Sequence, residues 1–166
     1  MEWNDESSAN RLHYRSRAHQ RIQLDACVET IGDVSNDYVL DYGCGYGDLI
    51  PLISCARYVG VERNPAVLEG ARAIHPHHRF IEGTKVLPAD VIVAVASIQC
   101  DVPNAQRIVR EIGEKARRIA YLSTCAYPKS AFEHEEIEAF KWEGCEIHEP
   151  REDEDFFRMV LRKDNG

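Results

Sequence analysis

Gly43, Gly45 and Gly47 stand at alternate positions after a short apolar segment that ends in Asp41. The segment reads Tyr38-Val-Leu-Asp-Tyr-Gly-Cys-Gly-Tyr-Gly47, and a second apolar stretch begins soon after it. Glycine allows the backbone to bend sharply and leaves no Cβ between the main chain and a ligand. A strand, a tight glycine turn and a helix in this order commonly hold a nucleotide-type ligand. The spacing therefore predicts such a ligand at residues 41–47.

Glu62 supplies a functional group that suits this class of ligand. It ends the segment Arg57-Tyr-Val-Gly-Val-Glu, 19 residues after Gly43, where a carboxylate can accept hydrogen bonds from both hydroxyls of a ribose. A carboxylate there also disfavours a 2′-phosphate. The turn reads G-x-G-x-G, whereas a dinucleotide turn reads G-x-G-x-x-G, and no Lys-Ser or Lys-Thr pair follows it as in a P-loop. An NAD-binding protein stays open as an alternative that this glycine spacing disfavours.

The elements that must position these residues alternate along the chain. Nothing breaks a helix over residues 9–31, and Gly32 then ends it. Residues 90–96 form a continuous segment that is rich in β-branched side chains and carries no charge after Asp90, which is typical of a central strand in a parallel sheet. The predicted strands are 38–42, 57–62, 79–82, 90–96, 118–123, 145–149 and 156–162, and the further predicted helices are 48–55, 64–74, 103–113 and 131–140.

This alternation predicts a mainly parallel sheet that carries helices on both faces. The last two predicted strands are joined only by the short acidic segment 149–155, which permits a hairpin but no crossover helix. We therefore expect an α/β fold, namely a three-layer α/β/α sandwich with a mainly parallel seven-stranded sheet and one antiparallel strand. Residues 1–166 should form a single domain, with a loose tail at 1–8 and a helix at 9–31 that caps the site.

Length and charge narrow the class of protein. A chain of 166 residues suits one domain, and its net charge of −8 argues against nonspecific binding to nucleic acid. No apolar stretch approaches the roughly 18 residues of a membrane span. The first eight residues are acidic and polar, unlike a secretory signal. We therefore expect a cytoplasmic protein with neither a membrane nor a nucleic-acid partner.

Cysteines, histidines and arginines offer few further signals. The six cysteines are widely spaced without a C-x-x-C pair, so we interpret them as small buried hydrophobes in a reducing compartment. His75, His77 and His78 have no nearby cysteine, and we expect an exposed loop there and no metal. Residues 10–21 hold four arginines and no acid. That segment is either solvated surface or faces an anionic substrate or a cofactor carboxylate.

At these motifs the chain resembles the class I S-adenosylmethionine-dependent methyltransferases. Val39-Leu-Asp-Tyr-Gly-Cys-Gly-Tyr-Gly-Asp48 resembles their first motif, and Tyr58-Val-Gly-Val-Glu-Arg-Asn-Pro65 resembles their second. Phe80-Ile-Glu-Gly-Thr84 stands where the family usually has a Gly-Asp pair near the adenine, and Asp90-Val-Ile-Val-Ala-Val-Ala-Ser97 stands where it has the fourth strand. The resemblance covers roughly residues 38–162. It implies a Rossmann-like methyltransferase fold, S-adenosyl-L-methionine as cofactor and S-adenosyl-L-homocysteine as product.

The resemblance also implies roles for single residues. Gly43 and Gly45 let the backbone approach the methionine part of the cofactor, while Asp41 orders the turn and reaches the amino group through water. Glu62 binds the ribose hydroxyls. Thr84 stands where the family commonly has an acid. The whole implied cofactor-binding set is Asp41, Gly43 and Gly45 with Cys44 between them, Glu62 and Arg63 at the ribose and adenine, Gly83 and Thr84 at the adenine edge, and Ser97 and Ile98 at the methionine end.

The acceptor side carries weaker signals. No Asp/Asn-Pro-Pro-Tyr sequence follows the fourth predicted strand, and no Pro-Cys pair is present, so methylation of a nucleic-acid base is disfavoured. Methyl transfer relies mainly on positioning and desolvation, and a base is needed only if the acceptor must lose a proton. The candidates for contact with the acceptor are His13, Tyr14, His19, Asp101, Tyr127 and His134, and among them we select Tyr14, His19, Asp101 and Tyr127 as catalytic.

The core elements leave little chain for a substrate-binding insertion, which favours a small methyl acceptor over a folded macromolecule. We therefore expect an enzyme that moves a methyl group from S-adenosylmethionine to an O, N or S nucleophile of a small molecule. Two alternatives stay open. The chain could be an S-adenosylmethionine-binding module or subunit of a larger methyltransferase complex that acts on protein or RNA, or it could be an NAD-binding Rossmann protein. Homodimerisation or a partner subunit is compatible with each.

Overall fold

A computed structural model describes residues 17–98, 104–125, 141–152, 154 and 156–164. The described ranges form helices that alternate with the strands of one sheet, as the sequence predicts. In chain order the elements are α1 (Arg17–Ile31), β1 (Tyr38–Tyr42), a 3-10 turn (Ile50–Leu52), β2 (Arg57–Glu62), α2 (Pro65–Ile74), β3 (Arg79–Glu82), β4 (Ala89–Val95), α3 (Ala105–Lys115), β5 (Ala116–Cys125), β6 (Glu146–His148) and β7 (Phe156–Arg162).

The sheet confirms the predicted topology. Its seven strands lie in the order β3-β2-β1-β4-β5-β7-β6. β1 to β5 pair in parallel, and β7 runs antiparallel to both of its neighbours. The chain therefore leaves β1 towards one edge of the sheet and enters β4 and β5 towards the other. Ligands of open α/β sheets bind at the carboxyl ends of the strands beside such a switch point, which here lies between β1 and β4.

Helices cover both faces of the sheet and make the expected three layers. On one face α1 buries Leu24, Cys27 and Ile31 against β-strand residues that include Val39 and Val91. On the other face lie β-strand side chains such as Leu40 and Ile92, against which α3 packs. Burial of one such side chain typically stabilises a fold by about 1.5–3 kcal/mol. The two faces together hold the parallel strand ends in a fixed register.

The predicted helix at 48–55 is wrong. Only the short 3-10 turn Ile50–Leu52 forms there, and the chain is already extended at Ile53 (φ −124°, ψ 152°). Pro51 donates no backbone hydrogen bond, and Leu49 at the helix start offers no side-chain cap. With β2 beginning at Arg57, the segment is too short for an α-helix that spans the sheet.

Other boundaries shift by one or two residues. α3 ends at Lys115, two residues beyond the predicted end, and the Trp142 indole Nε1 donates 2.7 Å to the carbonyl of Val109 on that helix. β5 extends to Ala116–Cys125, beyond the predicted 118–123. β6 is shorter than predicted and covers only Glu146–His148. β4 ends at Val95 because Ala96 turns into the left-handed region (φ 49°).

The ends of the chain are only partly described. α1 confirms the predicted N-terminal helix from Arg17 onwards, and Gly32 (φ 68°) ends it with an amide that donates 3.1 Å to the Val28 carbonyl. The start of that helix, the tail at 1–8 and the predicted helix at 131–140 lie outside the described residues. Among the helices that the described ranges contain, none has the length and apolar character to cross a bilayer.

Candidate ligand-binding site

The glycine turn leaves β1 as the sequence predicts. Gly43, Gly45 and Gly47 all have positive φ (71°, 54° and 80°), a conformation that glycine adopts without strain. The carbonyl of Val61 on β2 accepts hydrogen bonds from the amides of Gly43 and Cys44, at 2.7 and 3.1 Å. The turn is therefore fastened to the carboxyl end of the neighbouring strand.

Glu62 organises the same corner of the sheet. Its Oε2 accepts from the Gly45 amide at 3.2 Å, and its Oε1 accepts from the Asn64 amide at 2.9 Å. An ionised carboxylate offers about four acceptor positions, so both oxygens keep a lone pair for a further donor. A Cβ built on Gly45 meets no atom of the described residues within 4 Å. The half-buried carboxylate thus stands beside a glycine that no described side chain covers.

Asp41 lies beneath the turn and is only 4% exposed. Its Oδ2 accepts a hydrogen bond of 2.8 Å from the phenol of Tyr58. Burial raises the pKa of Asp41 to about 7; the Tyr58 hydrogen bond opposes this rise, whereas the nearby Asp48 and Glu62 carboxylates add to it. Asp41 is therefore a carboxyl group that titrates near neutral pH inside the site.

Cys44 contributes its backbone to the turn and its side chain to the core. The thiol packs with Tyr58, Leu68 and Phe80 in a small apolar cluster. Burial raises the pKa of this thiol well above its usual range, and the carboxylates of Asp41 and Glu62 raise it further. The group is a neutral packing element at physiological pH rather than a nucleophile.

The loop after β3 closes another side of the site. The Gly83 amide donates 3.0 Å to the backbone carbonyl of Glu62. The Tyr42 phenol donates 3.3 Å to the carbonyl of Thr84. Gly83 has a φ of 127°, and within the described ranges a Cβ built on it meets nothing within 4 Å. No described side chain therefore covers this loop at Gly83, next to Glu62.

The end of β4 packs directly against the glycine turn. Ala96 is the one non-glycine residue with positive φ among those described, and its amide donates 3.0 Å to the Ser123 carbonyl on β5. The Ser97 hydroxyl donates 2.8 Å to the carbonyl of Tyr42. A Cβ on Gly43 would lie only 2.2 Å from Ser97 Cβ. Ile98 follows and is fully buried at 1% exposure.

Two glutamines on α1 reach the site and were missed by sequence reasoning. Gln20 Nε2 donates 3.0 Å to Asp48 at the end of the glycine turn. Gln23 is fully buried, and its Oε1 accepts from the Ser123 hydroxyl at 3.0 Å. Their signal in the sequence is weak: the two amides lie at helical spacing on the face that also carries Leu24 and Cys27.

Of the four predicted catalytic residues, the structure describes only His19. Tyr14, Asp101 and Tyr127, like His13 and His134, lie outside the described residues. His19 is half-buried on α1, directly before Gln20. Arg63 is exposed after Glu62. No group of three His, Cys, Asp or Glu side chains in the described ranges is arranged to hold a metal ion.

The expectation that all three histidines before β3 are exposed is wrong for His75. Its ring packs against the turn, since a Cβ on Gly47 would lie 2.9 Å from His75 Cδ2. His78 meets it edge-on, with ring centroids 5.9 Å apart. Burial and the neighbouring His78 lower the pKa of His75. His77 and His78 are exposed as predicted.

Comparison with known proteins identifies related folds. No protein-family model matches the chain. A trans-aconitate 2-methyltransferase from Enterobacter sp. (strain 638) is 41% identical over 88 residues, which is 48% of this chain but only 31% of that enzyme. The chain therefore spans about a third of the length of this curated relative.

Solved structures match over more of the chain. Magnesium protoporphyrin IX methyltransferase from Synechocystis PCC 6803 with bound S-adenosylhomocysteine has a TM-score of 0.67 at 15% identity, over 99% of this chain and 90% of that one. An RNA methyltransferase candidate from Pyrococcus horikoshii has a TM-score of 0.66 at 18% identity, over 90% and 84% of the two chains. At these identities the likeness establishes a shared fold.

Proposed function

We propose that this chain, which has the fold of the class I S-adenosylmethionine-dependent methyltransferases, binds S-adenosylmethionine and transfers its methyl group to an O, N or S atom of a small molecule. One observation carries the proposal. The glycine turn and the Glu62 carboxylate meet at the carboxyl edge of the sheet, beside space at Gly45 that no described residue fills. This combination suits a nucleoside with a short polar tail, which is the shape of the cofactor.

In this proposal each part of the cofactor has its own contacts. The free lone pairs of Glu62 accept from the ribose hydroxyls, and the main chain at Gly43 and Gly45 lies along the methionine tail. Asp41 lies below that tail and acts on it electrostatically. The adenine lies by the loop after β3, and the methyl group faces the end of β4. The remaining residues of the proposed site are Cys44 through its backbone, Arg63 flanking the adenine, Gly83 and Thr84 at the adenine edge, and Ser97 and Ile98 at the methionine end.

The proposed reaction is an in-line displacement at the sulfonium carbon. The acceptor lone pair forms the new bond to the methyl carbon as the sulfur–carbon bond breaks, and the sulfur keeps the bonding electrons. Holding the two centres in line and excluding water supplies most of the acceleration. An O–H or N–H acceptor also loses a proton to a base. His19 on α1 is our described candidate, and Tyr14, Asp101 and Tyr127 are the others.

A small acceptor agrees with the charge and the make-up of the described ranges. Every described helix and strand belongs to the sheet or to the helices that cover it. A net charge of −8 disfavours a polyanionic acceptor such as RNA. The relative that matches over 88 residues is named for a small organic acid, trans-aconitate. One solved structure with a similar fold is named for a porphyrin.

Isothermal calorimetry with S-adenosylmethionine, S-adenosylhomocysteine and NAD tests the cofactor assignment. We expect both adenosyl compounds to bind at sub-millimolar concentration and NAD to bind more weakly. Glu62→Ala should weaken the binding of both adenosyl compounds by about tenfold or more, because the ribose hydroxyls lose the carboxylate that accepts their hydrogen bonds in a partly buried site. Glu69→Ala, a change of an exposed acid on α2, is the control. Absence of binding by both adenosyl compounds would refute the proposal.

Gly45→Ala separates ligand contact from folding. The new methyl group meets no atom of the residues that the structure describes but projects into the space that we assign to the cofactor, so affinity should fall at least tenfold. Gly32→Ala is a matched control, because Gly32 also has positive φ and an open Cβ direction but caps α1 away from the site. Both changes should destabilise the fold by about 1–2 kcal/mol, the cost of a left-handed alanine. Equal affinities in the two variants would show that the glycine turn does not contact the cofactor.

A further inference from the structure

Tyr42, the last residue of β1, contacts the chain on both sides of the glycine turn. Its backbone carbonyl accepts a hydrogen bond of 2.8 Å from the Ser97 hydroxyl after β4, and its phenol donates 3.3 Å to the carbonyl of Thr84 after β3. The side chain is 6% exposed and packs in the apolar cluster between the sheet and α3. A phenol has a single O–H to donate, and here Thr84 accepts it.

The Tyr42 phenol reaches beyond the neighbouring strand. β2 lies between β1 and β3 in the sheet, and adjacent strands are about 4.8 Å apart, so the loop that Tyr42 contacts leaves a strand about 10 Å away. A leucine at this position would also fill the apolar cluster, but it has no donor for the Thr84 carbonyl. The hydroxyl therefore does something that packing alone does not require.

The loop at residues 83–88 depends on such contacts for its shape. It leads from β3 to β4 without a helix or strand of its own, whereas connections between parallel strands usually contain a helix. Other elements hold its backbone: the Gly83 amide donates 3.0 Å to the Glu62 carbonyl, and Lys115 Nζ donates 2.9 Å to the Val86 carbonyl. Thr84 lies between these two contacts, and the Tyr42 phenol holds its carbonyl.

We propose that Tyr42 is a positioning residue for the base of the adenosyl ligand, because its hydroxyl holds the Gly83–Thr84 backbone in place. The inference rests on the proposed function, which assigns the adenine to this loop. Without the hydroxyl, the loop adopts the binding conformation for a smaller fraction of the time, and the apparent affinity falls by that fraction. One hydrogen bond of this kind changes an equilibrium by about two- to tenfold.

Tyr42→Phe tests the hydroxyl while keeping the ring and its apolar contacts. Calorimetry should compare S-adenosylhomocysteine with 5′-methylthioadenosine, which keeps the adenine, the ribose and the sulfur but lacks the amino-acid tail. We expect the Kd of both ligands to rise by the same factor, about three- to tenfold. Tyr38→Phe is the matched control, because Tyr38 lies at the other end of β1 and packs against the same apolar cluster. It should change neither Kd by more than about twofold.

Amide hydrogen exchange of the ligand-free protein separates positioning from general stability. The Gly83 amide is hydrogen-bonded to Glu62 beside the residue that Tyr42 holds, so Tyr42→Phe should speed its exchange severalfold. Exchange at Val93 in the middle of β4 should stay as in the wild type. Equal acceleration at both amides would mean that the hydroxyl stabilises the whole fold and has no particular effect on the loop, which overturns the inference.

The ligand pair separates this inference from the proposed function. If Tyr42→Phe weakens S-adenosylhomocysteine but not 5′-methylthioadenosine, the hydroxyl acts at the amino-acid end, and its role at the base is overturned while the cofactor assignment stands. The same holds if neither Kd changes, or if the wild-type protein binds S-adenosylhomocysteine but not 5′-methylthioadenosine. If the wild-type protein binds neither ligand, the proposed function itself fails, and this inference fails with it.

Discussion

Gly43→Ala is expected to lower the free energy of unfolding by about 2–5 kcal/mol, the combined effect of a left-handed alanine and an overpacked contact. The new Cβ would lie 2.2 Å from Ser97 Cβ and 2.8 Å from Ser97 Oγ. Neither atom is the far end of a flexible chain, so β1 and the end of β4 must separate. For a domain of this size the change corresponds to a fall in Tm of roughly 10 °C. Urea unfolding followed by circular dichroism measures it.

Ser97→Gly should rescue this variant in part. With the serine side chain gone, the nearest atom to the new Cβ is Ser97 Cα at 3.6 Å, which is ordinary van der Waals contact. Ser97→Gly alone removes the hydrogen bond to the Tyr42 carbonyl, which is worth about 0.5–1.5 kcal/mol. The double variant should therefore be more stable than the sum of the single changes predicts. Strict additivity would mean that the turn and β4 do not meet as described.

Local signals in the sequence were sufficient for several elements. The helix predicted at 64–74 forms as α2, and it begins at Pro65 because Asn64 caps it, its side-chain oxygen accepting from the amides of Ala66 and Val67. β1, β2, β3 and β7 likewise have the predicted bounds. In a strand, the alternation of apolar residues predicts on which face of the sheet each side chain lies. Such features depend on residues close in sequence, so one amino-acid sequence is enough to predict them.

The features that sequence reasoning missed depend on contacts between distant residues. The predicted helix after the glycine turn fails because the chain has only a few residues in which to return to β2 at Arg57. The hydrogen bond from Gln20 to Asp48 joins residues 28 positions apart, and Asp41 meets Tyr58 across 17 positions. Sequence reasoning identified Asp41 as a member of the motif. It did not foresee a buried carboxyl without a basic neighbour among the described residues, because that property comes from packing.

A network of hydrogen bonds links the glycine turn to the end of β4. Ser123 on β5 accepts from the strained Ala96 with its carbonyl and donates to Gln23 with its hydroxyl. Ser97 then fastens β4 to Tyr42, and Gln20 fastens α1 to Asp48. Backbone strain at a strand end persists only where the surroundings hold it in place. These contacts join α1, β1, β4 and β5 around one site.

Asp41→Asn is expected to stabilise the ligand-free protein at pH 8 by up to about 4 kcal/mol, since one pKa unit corresponds to about 1.4 kcal/mol. Burial raises the pKa of Asp41 to about 7 in the folded protein, whereas an aspartate in the unfolded chain titrates near 3.9. Between these two values the folded state holds the proton more tightly, so wild-type stability falls as the pH rises from about 4 to 7. The asparagine still accepts from Tyr58 without becoming charged, and its advantage should vanish near pH 4.

Asp90→Asn should show the opposite sign and serves as the control. The backbone amide of Tyr38 donates to Asp90 at 2.9 Å, and this hydrogen bond, together with Arg117, lowers the pKa of that carboxyl. Its stabilising effect is present above the unfolded-state pKa and is lost in acid, so the asparagine variant should be less stable than wild type at pH 8 and approach it at low pH. Urea unfolding of the three proteins between pH 4 and 8 should therefore give difference curves of opposite slope. If Asp41→Asn were instead destabilising at pH 8, a counter-charge would already hold Asp41 ionised in the folded protein.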